Sequence, residues 1–302
     1  MEKSLHKVSE YLKELKCNPH FFKEISEEYI DDKFCKLAVE ANHFVLDFGY
    51  IPERFIDENI YLVALNSHKS YSLFRVPEFL RTKSLCFKFI ENNGLELFGV
   101  PEELKTYELC LKSVENNGLA LQYVPEELKL KICYAAVLQN SDALQYIVNP
   151  SQELIDFALS CNNKGVPIRF INNKTYKQCL NAVKHKYQSL EYVPKEFLTE
   201  ELCVAAINKE SASITYFKKE CFSDEIYSKL LLTAVKKNGL SLMFIESKNQ
   251  SLPLCLEALK QNFEALKYIK INLPVESVKN NYELITQLEN AIEKQKHIIN
   301  YL

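Results

Sequence analysis

Cysteine is the residue type in this chain with the widest chemistry, because a thiolate can bind zinc, form a disulfide or attack a substrate. The chain has ten cysteines. Six of them recur at one position of a repeated motif: Cys86, Cys110, Cys133, Cys179, Cys203 and Cys255. The same position holds Phe157 and Leu231 in other copies, and a position that accepts Cys, Phe or Leu is a packing position. We therefore predict free, buried thiols that behave as small hydrophobes.

The spacing of the cysteines does not suit a metal site, because no Cys-x-x-Cys pair occurs. Equivalent positions in neighbouring copies should lie too far apart for most disulfides, which indicates a reducing compartment. Cys161 is predicted to fill a second buried position of the motif, whereas Cys17 and Cys35 lie off the main position. Cys221, in the longest connection between copies, is the best candidate for a reactive thiol.

Catalytic motifs are missing from the sequence. The six histidines are scattered, and the chain contains no His-Glu-x-x-His, Gly-x-Ser-x-Gly or phosphate-loop pattern. We therefore expect no catalytic residue, no bound metal and no cofactor. A Cys/His nucleophile pair stays open, and with it the alternative of an effector enzyme or enzyme modulator whose site lies on the concave face.

A basic stretch is the best candidate for a partner-binding site. Residues 157–190 contain no Asp or Glu. The candidate binding residues in or beside this stretch are Lys164, Arg169, Lys174, Lys177, Lys184, His185 and Lys186. Such a surface suits an acidic peptide, a phosphate or an anionic membrane surface. The alternative is a solvated face that happens to be basic.

An aromatic residue follows the cysteine position by thirteen residues in seven consecutive copies. These residues are Tyr123, Tyr146, Phe170, Tyr192, Tyr216, Phe244 and Tyr268. Two interpretations are open: a row of rings that grips an extended peptide, or rings that pack between repeats. The residue just before each ring varies, so specificity is expected there. These variable residues are Phe98, Gln122, Gln145, Arg169, Glu191, Thr215, Met243 and Lys267.

The elements that must position these residues follow from a repeat of about 24 residues. Its clearest copies are 84–104 and 108–128, and two divergent copies are anchored near Leu37 and Leu62. A stretch such as Leu-Cys-Leu-x-Ala-Val places apolar side chains along a wide stripe of a helix. Asn-Asn-Gly is predicted to end that helix with a left-handed glycine. A shorter helix follows and stops at a proline, and Thr82, Thr106 and Thr199 are predicted N-caps.

This pattern predicts an all-α fold, an α-solenoid of about ten helix–turn–short-helix repeats with N- and C-terminal capping helices. The expected organisation is a cap over residues 1–31, the repeats over 32–271 and a C-terminal capping helix over 272–302. The last helix is a cap in one interpretation and a docking helix for a partner in the other. The longest step between copies, around Cys221, should contain a loop insertion or an extra helical turn.

Composition excludes several classes of protein. The formal net charge of −3 argues against a basic nucleic-acid-binding protein. No run of about 18 apolar residues occurs, so no transmembrane helix is expected. The first residues lack the apolar core of a secretory signal peptide. We expect a monomer in a reducing cytosol.

The string at 108–128, Glu-Leu-Cys-Leu-Lys-Ser-Val-Glu-Asn-Asn-Gly-Leu-Ala-Leu-Gln-Tyr-Val-Pro-Glu-Glu-Leu, resembles an uncharacterised bacterial repeat family, a domain of unknown function. The resemblance extends over about residues 32–271. It implies a helical scaffold of the kind found in proteins that intracellular bacteria deliver into host cells. The expected function is a non-catalytic protein- or peptide-binding scaffold, secreted without a cleavable signal peptide into the host cytosol.

Overall fold

The computed structural model describes residues 2–161 and 164–270. All the secondary-structure elements assigned in these ranges are helices. The predicted all-α fold is confirmed. The chain forms two compact units, Met1–Pro150 and Ser151–Leu302, called unit 1 and unit 2 below. None of the helices in the described ranges has the length and apolar character needed to cross a membrane. The predicted capping helix over 272–302 lies outside the described residues.

The α-helices of unit 1 are α1 (Glu2–Cys17), α2 (Asp32–Ala41), α3 (Phe44–Asp47), α4 (Glu58–Ser67), α5 (Lys83–Asn92), α6 (Tyr107–Asn116) and α7 (Glu126–Gln139). Those described in unit 2 are α8 (Gln152–Ser160), α9 (Tyr176–His185), α10 (Glu200–Lys209), α11 (Asp224–Lys237) and α12 (Leu252–Gln261).

Short 3-10 helices connect the α-helices. Those of unit 1 span Pro19–Glu24, Glu27–Tyr29, Glu53–Phe55, Leu73–Arg75, Glu78–Leu80, Gly94–Gly99, Glu102–Leu104, Gly118–Tyr123 and Ser141–Tyr146. Those of unit 2 span Pro167–Phe170, Tyr187–Tyr192, Lys195–Phe197, Ser211–Tyr216, Lys219–Cys221, Gly239–Phe244, Ser247–Asn249 and Phe263–Tyr268. A complete repeat is therefore an α-helix of about three turns, a six-residue 3-10 helix and a three-residue 3-10 helix.

Most α-helices of the repeats begin at a side-chain cap, whereas α7 begins after Pro125 without one. Thr82, Thr106 and Thr199 accept the backbone N–H of the residue three positions on, so the predicted N-caps are confirmed. Asp31 and Asp57 cap α2 and α4 in the same way. Each such bond satisfies one of the N–H groups that a helix leaves open at its first turn.

Counted from its N-cap, each of these helices buries the same four positions: three, four, seven and eight residues on. In α5 they are Leu85, Cys86, Phe89 and Ile90, all of which are fully buried. The cysteine therefore lies in the middle of the packing stripe. Burying a cysteine side chain at this position removes a small apolar surface from water. The thiol is uncharged, so no charge is buried with it.

The N-caps correct the alignment of three copies. Asp31, Asp57 and Ser151 place Cys35, Tyr61 and Ile155 at the cysteine position. The anchors Leu37, Leu62 and Phe157 were wrong by one or two residues, because loops of unequal length join these copies. Cys35 is thus a member of the buried set. Cys161 is half-buried and ends α8, so it does not fill the second buried position.

Residues 2–30 follow the order of a complete repeat. α1 is followed by a six-residue 3-10 helix, Pro19–Glu24, and a three-residue one, Glu27–Tyr29. Asn18 caps the first of these as asparagines do in other repeats, and Leu15, Phe22 and Ile25 are buried. This segment therefore has the local structure of a repeat, although its sequence matches the motif poorly.

The long connection around Cys221 resolves into helical turns. Lys219–Cys221 forms a 3-10 helix, and α11 begins four residues earlier, relative to its buried stripe, than α5 or α6 does. The predicted extra helical turn is confirmed. α7 has the same length as α11, because its Pro-Glu-Glu-Leu segment joins the α-helix directly.

The predicted role of glycine in Asn-Asn-Gly is wrong. Gly94, Gly118 and Gly239 do not adopt the left-handed conformation. Each instead opens a 3-10 helix, and the asparagine before it, in extended conformation, caps that helix. A Cβ atom on Gly118 would lie 2.3 Å from the backbone oxygen of Ala136 in the next helix. Glycine is required because another backbone passes too close for any side chain.

The first asparagine of the motif joins neighbouring repeats. Asn116, the last residue of α6, accepts the N–H of Gly94 at 2.8 Å and donates to the backbone oxygen of Glu91 at 3.0 Å. Gln139, the last residue of α7, does the same for Gly118 at 2.6 Å and Asn116 at 3.1 Å. One amide thus satisfies an open carbonyl at the end of one helix and an open N–H at the start of the next.

We expect Gly118→Ala to destabilise the protein by about 2 kcal/mol or more, because its Cβ meets a backbone atom that cannot move alone. Gly99→Ala is the control, since the nearest atoms to its added Cβ lie at 3.4 Å or beyond. Urea unfolding of the two variants measures the difference. Equal losses of stability would contradict the close approach as the reason for glycine.

Candidate functional site

The thiols of the cysteine position serve the core. All ten cysteines are free, and seven of them are buried: Cys35, Cys86, Cys110, Cys133, Cys179, Cys203 and Cys255. Burial raises the pKa of Cys86 and Cys110 to about 11 and that of Cys203 to about 12. A thiol with such a pKa stays protonated at neutral pH and is a poor nucleophile. The predicted buried, free thiols are confirmed.

The other cysteines lie nearer the surface. Cys17 is exposed at the end of α1, and Cys161 and Cys221 are half-buried. Cys221 ends a 3-10 helix just before Ser223, the N-cap of α11. In residues 2–161 and 164–270, no group of three or more His, Cys, Asp or Glu side chains has the geometry to hold a metal ion.

The basic stretch divides into side chains that stabilise the backbone and side chains that face solvent. Lys174 Nζ donates to the backbone oxygen of Ile171 at 2.7 Å, and Lys186 Nζ donates to that of Gly165 at 2.7 Å. Both lysines are half-buried. Their ammonium groups donate to carbonyl oxygens in loops. These hydrogen bonds explain the presence of two of the seven candidate residues, and no binding partner is needed for that explanation.

Lys177 and Lys184 are the two candidates that the structure brings together on an open surface. Both are exposed on α9 and line a shallow groove of about 350 Å³ with Leu180 and Asn181. Asp156 of α8 lines the same groove. A carboxylate therefore lies within the basic surface, so the groove is mixed in charge.

The remaining candidates lie on other elements. Arg169 is exposed on Pro167–Phe170, with its guanidinium 4.5 Å from the centre of the Phe170 ring. Lys164 is exposed in the loop before that 3-10 helix, and His185 is half-buried at the last residue of α9. The seven candidates thus lie on α9, on the 3-10 helix Pro167–Phe170 and in the loops beside them.

The variable position before the ring is exposed in every repeat where it was predicted. This position holds Phe98, Gln122, Gln145, Arg169, Glu191, Thr215, Met243 and Lys267. The ring that follows is half-buried in most repeats and exposed at Phe244. The aromatic residue therefore packs on its repeat and also presents an edge to solvent. This arrangement is intermediate between a ring that packs between repeats and a ring that is open to a peptide.

Rings of successive repeats touch one another in unit 1. The ring centres of Phe74 and Phe98 are 6.1 Å apart, and those of Phe98 and Tyr123 are 5.2 Å apart. Phe74 and Phe98 keep about two thirds of their surface in solvent, at 67% and 61%. The row Phe74–Phe98–Tyr123, called the ring row below, is an apolar surface that the protein leaves uncovered.

The comparison with known families adds one finding. A family model described as Domain of unknown function (DUF4116) matches residues 82–129 and 106–147. The matches begin at Thr82 and Thr106, the N-caps of α5 and α6, and so are one repeat apart. No curated protein and no solved structure matches the chain. The resemblance to an uncharacterised domain family is confirmed for these residues, and its extension over 32–271 stays a prediction.

A half-buried polar cluster in unit 1 was missed by the sequence analysis. Asp47, at the end of α3, accepts from Tyr71 Oη at 3.0 Å and from the Arg75 guanidinium, and its Oδ2 lies 3.2 Å from His43 Nδ1. The rings of His43 and His68 are 4.7 Å apart. The histidines are 25 residues apart in sequence, about one repeat, and that spacing was the signal that could have found the pair.

The cluster joins two consecutive repeats electrostatically. A carboxylate that is mostly buried needs its cationic and hydroxyl partners, and Asp47 has both. Burial lowers the pKa of His43, against the opposing effect of Asp47, so the imidazole is held neutral. Burial and the Asp47 charge both raise the pKa of Tyr71. In the described part of the chain His43 has no hydrogen bond to a serine, threonine or cysteine, so the cluster resembles a structural network.

Exchanging single lysines should separate the two roles within the basic stretch. We expect Lys174→Glu and Lys186→Glu each to cost about 1 kcal/mol, because a loop carbonyl loses its donor. Lys177→Glu and Lys184→Glu should stay within about 0.5 kcal/mol of the parent protein, since both side chains are exposed. Thermal unfolding of the four variants measures this. A similar loss in all four would show that the hydrogen bonds of Lys174 and Lys186 contribute nothing.

The cluster predicts a loss of stability on mild acidification. The pKa of His43 in the folded state lies below its ordinary value of 6.5, so the unfolded state binds the proton first. The free energy of unfolding should therefore fall as the pH drops below about 6.5, and His43→Gln should reduce that slope. Urea unfolding between about pH 7 and pH 5 measures it. His6→Gln, at an exposed histidine of α1, is the control and should keep the parent slope.

Proposed function

We propose that this chain is a non-catalytic scaffold that binds a protein or peptide through the exposed positions of its 3-10 helices. In this proposal the repeats stack as an α-solenoid, the buried stripe keeps each repeat in place, and the variable position before the ring selects the partner.

The packing within each unit supports the solenoid. In unit 1, α4 contacts α5, α5 contacts α6 and α6 contacts α7, and the 3-10 helix of each of the later repeats contacts the next one. In unit 2 the same order runs from α8 to α12. Contacts that connect each repeat to its sequence neighbours are typical of a quasi-one-dimensional array.

The observation that carries the proposal is the contrast between two positions of the repeat. The cysteine position holds Cys, Tyr or Leu in the repeats where it is buried and Ile155 in the one where it is half-buried, whereas the position before the ring is exposed and holds Phe, Gln, Arg, Glu, Thr, Met or Lys. A solvated position has no packing constraint, and a row of such positions on one kind of element provides a surface of adjustable chemistry.

The cellular setting is proposed from the thiols and the resemblance. Seven buried, unpaired cysteines suit a reducing compartment. The resemblance suggests a monomeric effector of an intracellular bacterium, secreted without a cleavable signal peptide and acting in the host cytosol. Its partner is a protein or a peptide segment.

A peptide selection tests the binding function. Random peptides of about twelve residues, displayed on phage, are selected against the full chain and then measured against variants at exposed positions. We expect Gln122→Ala in unit 1 or Met243→Ala in unit 2 to weaken the selected peptides about fivefold or more. The matched controls are Lys112→Ala and Lys236→Ala, at exposed positions on α6 and α11.

Two results would oppose the proposal. One is the recovery of no peptide above background from a diverse library. The other is a set of peptides that the α-helix controls weaken as much as the 3-10 helix variants do, because binding would then lie elsewhere on the repeats.

A further inference from the structure

The ring row of unit 1 has a spacing that matches an extended chain. Its ring centres lie 6.1 Å and 5.2 Å apart from one repeat to the next. An extended strand rises about 3.3 Å per residue, so its alternate side chains are about 6.6 Å apart on one face. A peptide that runs across the repeats can therefore place every second side chain against a successive ring.

The surface of the same repeats is strongly acidic. Between residues 91 and 127, seven glutamates are exposed: Glu91, Glu102, Glu103, Glu108, Glu115, Glu126 and Glu127. Lys112 is the exposed lysine of this range. Four of the glutamates form ion pairs: Glu102 with Lys105 and Glu126 with Lys129 at 2.8 Å, Glu91 with Lys88 at 3.0 Å and Glu108 with Lys83 at 3.5 Å. Within the described residues, Glu103 and Glu127 form no ion pair. The unbalanced charge favours a basic partner.

Acids follow the rings of the ring row at short distances in the sequence. Glu103 follows Phe98 by five residues, and Glu127 follows Tyr123 by four. Glu103 lines a shallow groove with Arg81, and the Arg81 guanidinium faces the Phe74 ring. Glu103 therefore lies on the surface beside the ring row.

The rings of this protein already accept cations. The Arg81 guanidinium lies 5.9 Å from the centre of the Phe74 ring, and in unit 2 Lys267 Nζ lies 5.1 Å from that of Tyr268. The face of an aromatic ring attracts such a charge electrostatically. Basic side chains of a ligand thus have two kinds of site here, the glutamates and the ring faces.

We propose that the ring row binds an extended segment of a partner protein in which apolar side chains alternate with arginine or lysine. The apolar side chains cover Phe74, Phe98 and Tyr123, and the basic ones pair with Glu103 and Glu127. This inference rests on the proposed function and gives its partner a chemistry: a basic, extended peptide bound in unit 1.

The probes are three fluorescein-labelled nonapeptides with blocked ends: one alternates Leu and Arg, one alternates Leu and Glu, and one places the leucines and arginines in separate blocks. Fluorescence anisotropy with the full chain measures their binding at low and physiological salt. We expect the alternating Leu/Arg peptide to bind at least about fivefold more tightly than the other two. Its affinity should fall as salt screens the glutamates.

Phenylalanine variants locate the site. Phe98→Ala and Phe74→Ala should each weaken the Leu/Arg peptide about fivefold or more, because each removes one ring from the row. Phe244→Ala is the matched control, since Phe244 is an exposed phenylalanine of unit 2, outside the ring row. Both tested side chains are mostly solvated, and circular dichroism and thermal unfolding verify that the variants stay folded.

A second pair of variants tests the charge. Glu103→Gln with Glu127→Gln should weaken the Leu/Arg peptide and flatten its salt dependence, whereas Glu108→Gln with Glu115→Gln, on α6, should change neither. If Phe98→Ala and Phe244→Ala bind the Leu/Arg peptide equally, the ring row is not its site. Self-association of the chain that Phe98→Ala abolishes would also overturn the inference, because a second copy would then be the occupant.

The peptide-binding test of the ring row and the library selection that tests the scaffold can fail independently of each other. Peptides selected from the random library that depend on Gln122 or Met243, with no binding of the Leu/Arg peptide, would leave the scaffold in place and reject the basic ligand. Failure of both experiments would reject the scaffold itself.

Discussion

The repeats that carry Asn-Gly depend on the close approach of that glycine to the backbone of the next helix. At Gly94, Gly118 and Gly239 a Cβ atom would lie 2.2 to 2.4 Å from a carbonyl oxygen of the following repeat. That oxygen belongs to Ser113, Ala136 or Ala258, which are small and buried. The glycine of one repeat and the small helical residue of the next repeat are therefore required by the same close contact between backbones. Once the backbones meet there, the end of one helix lies within reach of the amide on the next, and the bonds of Asn116 and Gln139 become possible.

This constraint leaves the two faces of a repeat with different freedom. The α-helix must keep its four buried positions and the small residue among them, so substitutions there lose packing and create cavities. The exposed residues of the 3-10 helices have no such requirement, and they differ from repeat to repeat in charge, size and polarity. Rings at the end of these helices are a compromise between the two: they cover the repeat below them and still offer an edge to a ligand. The surface that we propose for recognition is thus a consequence of the same repeat that builds the core.

The sequence predicted those parts of the structure that depend on local patterns. The apolar stripe, the threonine caps and the extra turn near Cys221 follow from spacing alone, and the structure confirms them. It could not predict the reason for Asn-Asn-Gly, because the atom that excludes a side chain from Gly118 belongs to a residue 18 positions later. The anchors of the divergent copies were wrong for a related reason. A buried position is defined by its N-cap and its neighbours, and unequal loops shift it relative to the period.

The basic stretch shows that lysines in a repeat protein can serve the backbone as well as a partner. Lysines near the end of an α-helix lie where open carbonyls collect, and the carbonyls bind them. Lys237, the last residue of α11, donates to the backbone oxygens of Ile207 and Asn208 in the preceding repeat. It replaces the amide that Asn116 or Gln139 supplies elsewhere, and Lys186 donates in the same way to Gly165. Neighbouring repeats also bring acids to such a run, as Asp156 and Glu201 do at α9. A lysine that a neighbouring carbonyl binds is less available to a ligand, and the proposed recognition surface therefore uses the exposed positions of the 3-10 helices.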